Sequence, residues 1–453
     1  MKKYIKYMLS TTLLFLMSCS EFLDVDTPKN QMDTPMVFND ERTANAAMLN
    51  VYASMRNAGF LSGNRDGIGA LLGAYTDELN VVTNQAVGVK YFYDLNVQPS
   101  NTVIKNLWDI SYKQIYMVNQ IITGIDATDG LPEDTKKQLL GEAYGIRGIL
   151  HFYLSQTFGA VPYVSTIDYE LNKNISKKSE NEVLSLAIAD LLEAENLLSS
   201  NYISTERIRL NQSVVQAFLA RMYLYQKNWI KASEYAQTVL DDTRFQLASL
   251  DDLFLKNSTS AIWQLKPDPE GRNTLEGETY IFTAVPAPLM KLENSLITDF
   301  QTNDLRKTNW TNSIDSNNYF AYKYKERGTT GGGSLEYAIV IRIEEMYLIK
   351  AEAAAQLSDF DTCNDLLNVI RLRAGLTSIN VANLPEAIDA ILNERRFEFF
   401  CEFGHRFYDL KRTDKLSLIT EIKPNWVLFF KTLPLPLTEI TLNPNLLPQN
   451  EGY

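Results

Sequence analysis

The stretch ERRFEFFCEFGHRFYDLKR, residues 394–412, interleaves five Arg or Lys residues with four carboxylates and one of the chain's two histidines. Such a cluster is either an active site or a clasp. The spacing favours the clasp. On a helix Glu394, Glu398 and Glu402 lie one turn apart, and Arg395 and Arg396 can fork onto carboxylates in bidentate pairs. Phe397, Phe400 and Phe403 recur at three-residue steps and should face a core. Gly404 reads as the helix stop, with His405, Arg406 and Asp409 in the turn that follows. Fully ion-paired carboxylates have lowered pKa values and make poor general acids, and no nucleophile stands beside the histidine. Glu394, Arg395, Arg396, Glu398, Arg406 and Asp409 are therefore expected to tie a C-terminal helix to its neighbours, through Glu344 and Glu345.

Other routes to catalysis are thin. No G-x-S-x-G elbow occurs. His151 lies in the apolar run GILHFYLSQTFG and reads as a core group, and two distant histidines make no metal site. Cys363 and Cys401 fall in helical patterns as small buried residues. GTTGGGS, at 328–334, has no Lys-Ser/Thr after it, so it is a loop and not a phosphate cradle. No cofactor or metal is expected. Asp77 and Glu78 in AYTDELN, and Asp304 in NDLRKTNW, could flank a glycosidic bond, but their separation is not readable from sequence. The net charge of −12, with no basic stripe, argues against nucleic acid.

Binding is the more productive search. A sugar offers flat C–H faces to aromatic rings and hydroxyls to Asp, Asn, Gln and Arg. Trp108 and Trp229 lie on amphipathic helices and Trp426 precedes VLFFKTLPLPL, so these three read as packed, while Trp263 opens a strand-like run. Trp310, in a polar loop, is the preferred platform, with Tyr91, Tyr93 and Tyr319 behind it. Arg65, Asp77 and Asn84 would supply polar contacts.

The elements that must hold these residues are mostly helical. Apolar residues recur at three and four spacing over 44–55, 103–125, 136–158, 180–198, 213–226, 229–240, 337–356, 361–373 and 384–401. Leu219, Ala220, Tyr223 and Ala232 sit where two antiparallel helices of the tetratricopeptide type approach closely, and Ala351 and Cys363 repeat the twelve-residue offset. Two excursions break the pattern, at 59–99 and 242–336; the second carries strand-like runs, AIWQLK and TYIFTAV. Long loops on a rigid scaffold are where binding usually lives. At the other end, a basic start (Lys2, Lys3, Lys6) and an apolar run too short to span a bilayer lead into LMSC, which predicts a signal peptide over 1–18 and a lipid on Cys19. Cleavage there would leave 435 residues with a net charge of −15, three lysines having been removed from −12. The expected organisation is then 1–18 signal, 19–40 lipidated tether, 41–241 helical scaffold with an insertion at 59–99, 242–336 irregular binding region, and 337–453 helical part with an extended tail.

Five blocks along the chain, in order CSEFLDVDTPKN, EAYGIRGILHFYLSQTFGAVPYV, IRIEEMYLIKAEAAAQL, ILNERRFEFFCEFGHRFYDLKR and LPLPLTEITLNPNLLPQNEGY, resemble the SusD/RagB family of outer-membrane nutrient-binding lipoproteins. The resemblance covers almost the whole length. It implies a mostly α fold, a tetratricopeptide-like α-superhelix with an irregular second subregion. It also implies a lipid-anchored, outward-facing position in the outer membrane, beside a SusC-like TonB-dependent transporter that receives the captured polymer. It implies no enzyme activity. Glycan is the expected cargo and peptide the alternative; a surface glycoside-acting enzyme and a helical-repeat scaffold that binds only protein are the remaining rivals.

Overall fold

The computed structural model describes residues 37–83 and 87–453. The signal segment, Cys19 and Asn84 lie outside the described residues. Eleven of the longer helices are labelled here: α1 (Glu41–Asn57), α2 (Ile68–Tyr75), α3 (Thr102–Asp126), α4 (Glu133–Phe158), α5 (Glu180–Leu197), α6 (Gln212–Tyr225), α7 (Trp229–Leu240), α8 (Ile343–Gln356), α9 (Phe360–Arg373), α10 (Leu384–Phe399) and α11 (His405–Arg412). From α3 onward each labelled helix packs against the next in chain order, so the helices form a continuous array. This is the mostly α, tetratricopeptide-like architecture that the periodicity predicted.

Local chemistry sets the boundaries. Ser179 and Glu182 form a reciprocal capping box at the start of α5. Gly148 of α4 faces α5 so closely that a Cβ there would lie 2.8 Å from the Ala187 carbonyl oxygen. Two hairpins share one turn. Lys227 and Ser358 both take positive φ, 61° and 65°. The next residue in each, Asn228 or Asp359, sends its amide back to Tyr223 or Ala354 and caps the following helix with its side chain. Ala220, Ala232, Ala351 and Cys363 are fully buried at the helix crossings.

Among the described residues, six short strands make three two-stranded antiparallel sheets: β1 (Leu79–Asn80) with β3 (Lys291–Leu292), β2 (Ala261–Leu265) with β6 (Ala338–Arg342), and β4 (Thr311–Ser313) with β5 (Tyr319–Ala321). Three local expectations are corrected. Residues 337–356 are not one helix: the β-branched run at 339–341 pairs with β2, and α8 starts only at Ile343. TYIFTAV is not a strand: Thr274 caps a short helix, Leu275–Tyr280, and the chain then runs irregularly. Helix α10 ends at Phe399, five residues before Gly404, and Gly404 (φ 74°) is the residue that opens α11. One large apolar core runs through the array, and a second, smaller one lies among α8, α9 and α10. No helix among the described residues is long and apolar enough to cross a membrane.

Candidate functional site

The charged stretch that opened the sequence reading lies inside the protein. Glu398 is fully buried. Its Oε1 accepts from Arg342 at 2.6 Å and Arg373 at 2.5 Å, and its Oε2 from Arg306 at 3.2 Å. Burial alone would raise this carboxyl; the three guanidiniums outweigh it and hold the pKa well below the ordinary value. Glu394 accepts from Arg306 at 2.6 Å and Arg371 at 3.1 Å. Glu402 takes Lys323 at 2.5 Å and Arg342 at 3.1 Å. Arg395 reaches Asp409 at 2.6 Å, and Arg412 joins Asp409, at 2.8 Å, to Glu352, at 2.7 Å. Glu345 receives a bidentate pair from Arg221 at 2.8 and 2.5 Å. Glu344 accepts from Arg373 at 2.6 Å.

The charged groups of this centre are engaged with one another. His405 is buried and stacks on Phe399 with centroids 4.6 Å apart. Burial, then the nearby Arg221 and Arg395, push its pKa well below the usual value, so it stays neutral. Asp77 accepts two bonds from Arg406, at 2.9 and 2.8 Å, with Arg396 3.2 Å away. Burial opposes ionisation of Asp77, but those two arginines depress its pKa. Glu78 beside it is buried and pushed up to about 8, first by burial and then by the Asp77 charge. Asp304 is bound by Arg306 at 2.9 and 2.8 Å. None of these acids faces an open cleft, so the pairing that would flank a glycosidic bond is not presented to solvent. Among the described residues no group of three or more acidic, His or Cys side chains could hold a metal ion.

Trp310 is corrected by the same centre. Its ring is fully buried, and its indole N–H donates to the Leu250 carbonyl at 3.0 Å. Lys323 stands over the ring at 5.1 Å and Arg373 at 5.7 Å, so the indole stacks on the protein's own cations and offers no face to a ligand. The polar neighbours Asn309 and Thr311 do not report on the ring: their side chains bond the Leu305 and Lys307 carbonyls, at 2.8 and 2.6 Å, while the indole is packed inside. Tyr93 is also engaged: its hydroxyl accepts from Asn80 at 2.8 Å and Lys423 lies 4.4 Å from its ring centroid. Tyr319 sits in β5, half-buried.

An open cleft of about 590 Å³ lies elsewhere, between the 58–66 turn, the helix Val87–Tyr93 and the first turns of α3. Arg65 and Tyr91 from the sequence reading both line it. Gly59, Val103, Leu107 and Ile110 form an apolar floor; Asn64, Asp66, Ser100, Thr102 and Asn106 supply a polar rim. Arg65 keeps about half its side chain exposed, and its carboxylate neighbour Asp66 is 4.0 Å away. The rim is built rather than incidental. The Asn64 amide donates to the Asn57 carbonyl at 3.0 Å and its oxygen takes the Asp66 amide at 2.9 Å, which fixes Arg65 at the tip of a side-chain-stabilised turn. Gly59 holds φ 86° beneath it, and a Cβ on Gly88 would come within 3.0 Å of Asp66. The arrangement can grip a polyhydroxylated chain: one ring, one guanidinium and several amides and hydroxyls over an apolar floor. Asn64, Asp66 and Asn106 were not singled out from sequence. The local signal for Asn64 and Asp66, a polar NRDG turn, was on view, but the approach of α3, which brings Asn106, was not.

The chain resembles known proteins over most of its length. Residues 21–224 match a family described as "Starch-binding associating with outer membrane", and residues 293–423 match the SusD family. Among curated proteins, SusD-like protein P2 of Formosa agariphila is 26% identical over the full length of both chains. SusD-like protein P25 of the same organism is 23% identical over 96% of this chain and 97% of its own. Among solved structures, a SusD superfamily protein from Bacteroides vulgatus superposes with a TM-score of 0.81 at 20% identity, covering 91% of this chain and 99% of that one. A laminarin binding SusD-like protein gives 0.74 at 21% identity, covering 91% and 100%. Surface glycan-binding protein A from Bacteroides thetaiotaomicron, in complex with laminarihexaose, gives 0.75 at 19% identity, covering 90% and 99%.

Proposed function

The chain belongs to the SusD/RagB family, and from that premise we propose that it captures an oligo- or polysaccharide at the outer membrane and passes it to a SusC-like TonB-dependent transporter, without catalysing its breakdown. The observation that carries the capture role is the cleft at Arg65 and Tyr91. It is the place where both of those candidate residues meet an open, polar-rimmed surface. The buried ion pairing of Asp77, Glu398 and Asp409 supports binding without hydrolysis, since these three carboxylates are held by arginines and are poor general acids. A lipid on Cys19 would moor the protein at the membrane, and a mooring beside the transporter would raise the effective concentration of captured chain at its mouth.

Two neighbours are named for laminarin or laminarihexaose, so laminarin is the first probe. Affinity electrophoresis of the lipid-free chain through laminarin gels should retard it. Tyr91→Ala and Arg65→Ala should each restore mobility, Arg65→Ala without shifting the melting temperature because its side chain is about half exposed. Retardation that survives both substitutions would place the ligand elsewhere. No retardation in laminarin or a panel of other glycans, together with binding to peptides, would favour the peptide reading. Release of reducing ends from any glycan would refute the non-catalytic reading.

A further inference from the structure

The 58–66 turn that carries Arg65 rests on a buried acid with no counter-ion. Glu276, in the short helix Leu275–Tyr280, is 7% exposed. Its carboxyl lies against Gly63 so tightly that a Cβ on that glycine would be 2.0 Å from the Glu276 Cδ. Its Oε2 has no hydrogen-bond partner. Two small cavities flank it, an inner one of about 10 Å³ and an outer one of about 20 Å³, and both are lined by Gly63 and Glu276. The inner cavity is the size of a single water.

The groups facing Glu276 cannot neutralise an ionised carboxylate. Tyr280 from its own helix, Tyr324, and Cys401 with Glu402 from the segment after α10 line the inner cavity. Glu402 and Glu336 add negative charge nearby. The Glu402 charge already holds Lys323 and Arg342. Arg56, Asp268 and Arg272 line the outer cavity, but Arg56 lies 3.6 Å from Asp268 and Arg272 pairs with Glu278 at 2.9 Å.

We propose that Glu276 is a proton-operated latch under the cleft: neutral, it seats the Gly63 turn; ionised, it draws in water, lifts that turn and weakens glycan capture. The inference rests on the capture reading above. Burial first, and then Glu402 and Glu336, push the Glu276 pKa up to about 7, so the latch operates across the neutral range. Once ionised, the carboxylate must be hydrated through the two cavities, and Gly63 leaves no slack for that. The turn it displaces carries Asn64, Arg65 and Asp66 to the cleft rim.

The test is laminarin affinity of the lipid-free chain at about pH 5.5 and about pH 8.5, for the parent and for Glu276→Gln, which stays neutral throughout. The parent should weaken about fivefold or more, the low end of typical coupling between sites, while Glu276→Gln changes less than about twofold. Equal pH dependence in both proteins, or none in the parent, overturns the latch. Amide protection of residues 62–67, corrected for intrinsic exchange, is read alongside. It should fall at high pH in the parent and hold in the variant; unchanged protection in the parent overturns the latch. If neither protein binds laminarin or any other glycan at either pH, the capture reading fails, and protection alone decides the latch.

Discussion

Replacing Asp77 by Asn separates a structural carboxylate from a functional one. The side chain keeps its shape and loses its charge, leaving Arg406 and Arg396 without their shared partner inside the protein. Removing one member of a buried pair costs about 3–5 kcal/mol, because the other charge stays desolvated. Glu78 tempers this. It is neutral next door chiefly because of burial and secondly because of the Asp77 charge; with that charge gone it can ionise and take up part of the pairing with Arg406. The single variant should therefore sit near the low end, about 3 kcal/mol. For a chain of this size the entropy of unfolding near the midpoint is about 0.9 kcal/mol per kelvin, so the melting temperature should drop by about 3 °C. Adding Glu78→Gln removes the understudy, and the double variant should lose about 5 °C or more. Differential scanning calorimetry at neutral pH reads both. The folded pKa of Asp77 lies below its unfolded value, so its contribution is complete above the ordinary carboxylate range and disappears as pH falls through the folded pKa. The gap between parent and variant should accordingly close below about pH 4. Laminarin retardation should be unchanged at neutral pH. Two variants that melt with the parent, or an Asp77→Asn protein of parental stability that no longer binds glycan, would refute the assignment of Asp77 to the clasp.

Glu398→Gln should be more damaging than Asp77→Asn, since three arginines lose their anion together; about 5 kcal/mol, read as a melting shift of roughly 5 °C or failure to purify folded protein, is expected. Gly88→Leu should fill the cleft, the new side chain starting 3.0 Å from Asp66 and 3.4 Å from Val103 so that Asp66 must give way; laminarin retardation should vanish, with calorimetry reading the cost of that shift. His151 accepts the Val164 amide at Nε2, 3.0 Å, while Nδ1 faces the Arg147 carbonyl at 2.9 Å, so it is held neutral with the proton on Nδ1. Burial lowers its pKa to about 3; the stability it contributes is whole above the unfolded value near 6.5 and is lost as pH falls from there toward 3, so His151→Gln should flatten the acid limb of the melting-temperature profile between those values.

The scaffold was legible because its signal is local. Periodicity at three and four residues located α5, α6, α7 and α9 to within about two residues. The helix-pair signature at Ala220 and Ala232, and at Ala351 and Cys363, marked close crossings that need small side chains. Where tertiary pairing wins, the local signal misleads. Ala338–Arg342 has helical spacing continuous with α8, yet it pairs with a strand more than seventy residues earlier. The clasp was half legible: its acids and Arg395, Arg396 and Arg406 stand together in sequence, but Arg306, Lys323, Arg342 and Arg373 arrive from four other segments. Trp310 shows the converse limit. Flanking polarity reports the environment of the backbone and says little about which way a large ring turns. At the cleft, residue type found Arg65 and Tyr91, while the floor from α3 depended on a packing no local pattern encodes.

The pair between Asp77 and Arg406 joins residues 329 positions apart. A nascent chain presents the acid long before the base exists, and Glu345 must likewise wait for Arg395 although Arg221 precedes it. A chain ending before residue 406 therefore leaves the buried Asp77 without the arginine that accounts for both of its bidentate bonds. That part of the interior can close only when nearly the last tenth of the chain is present.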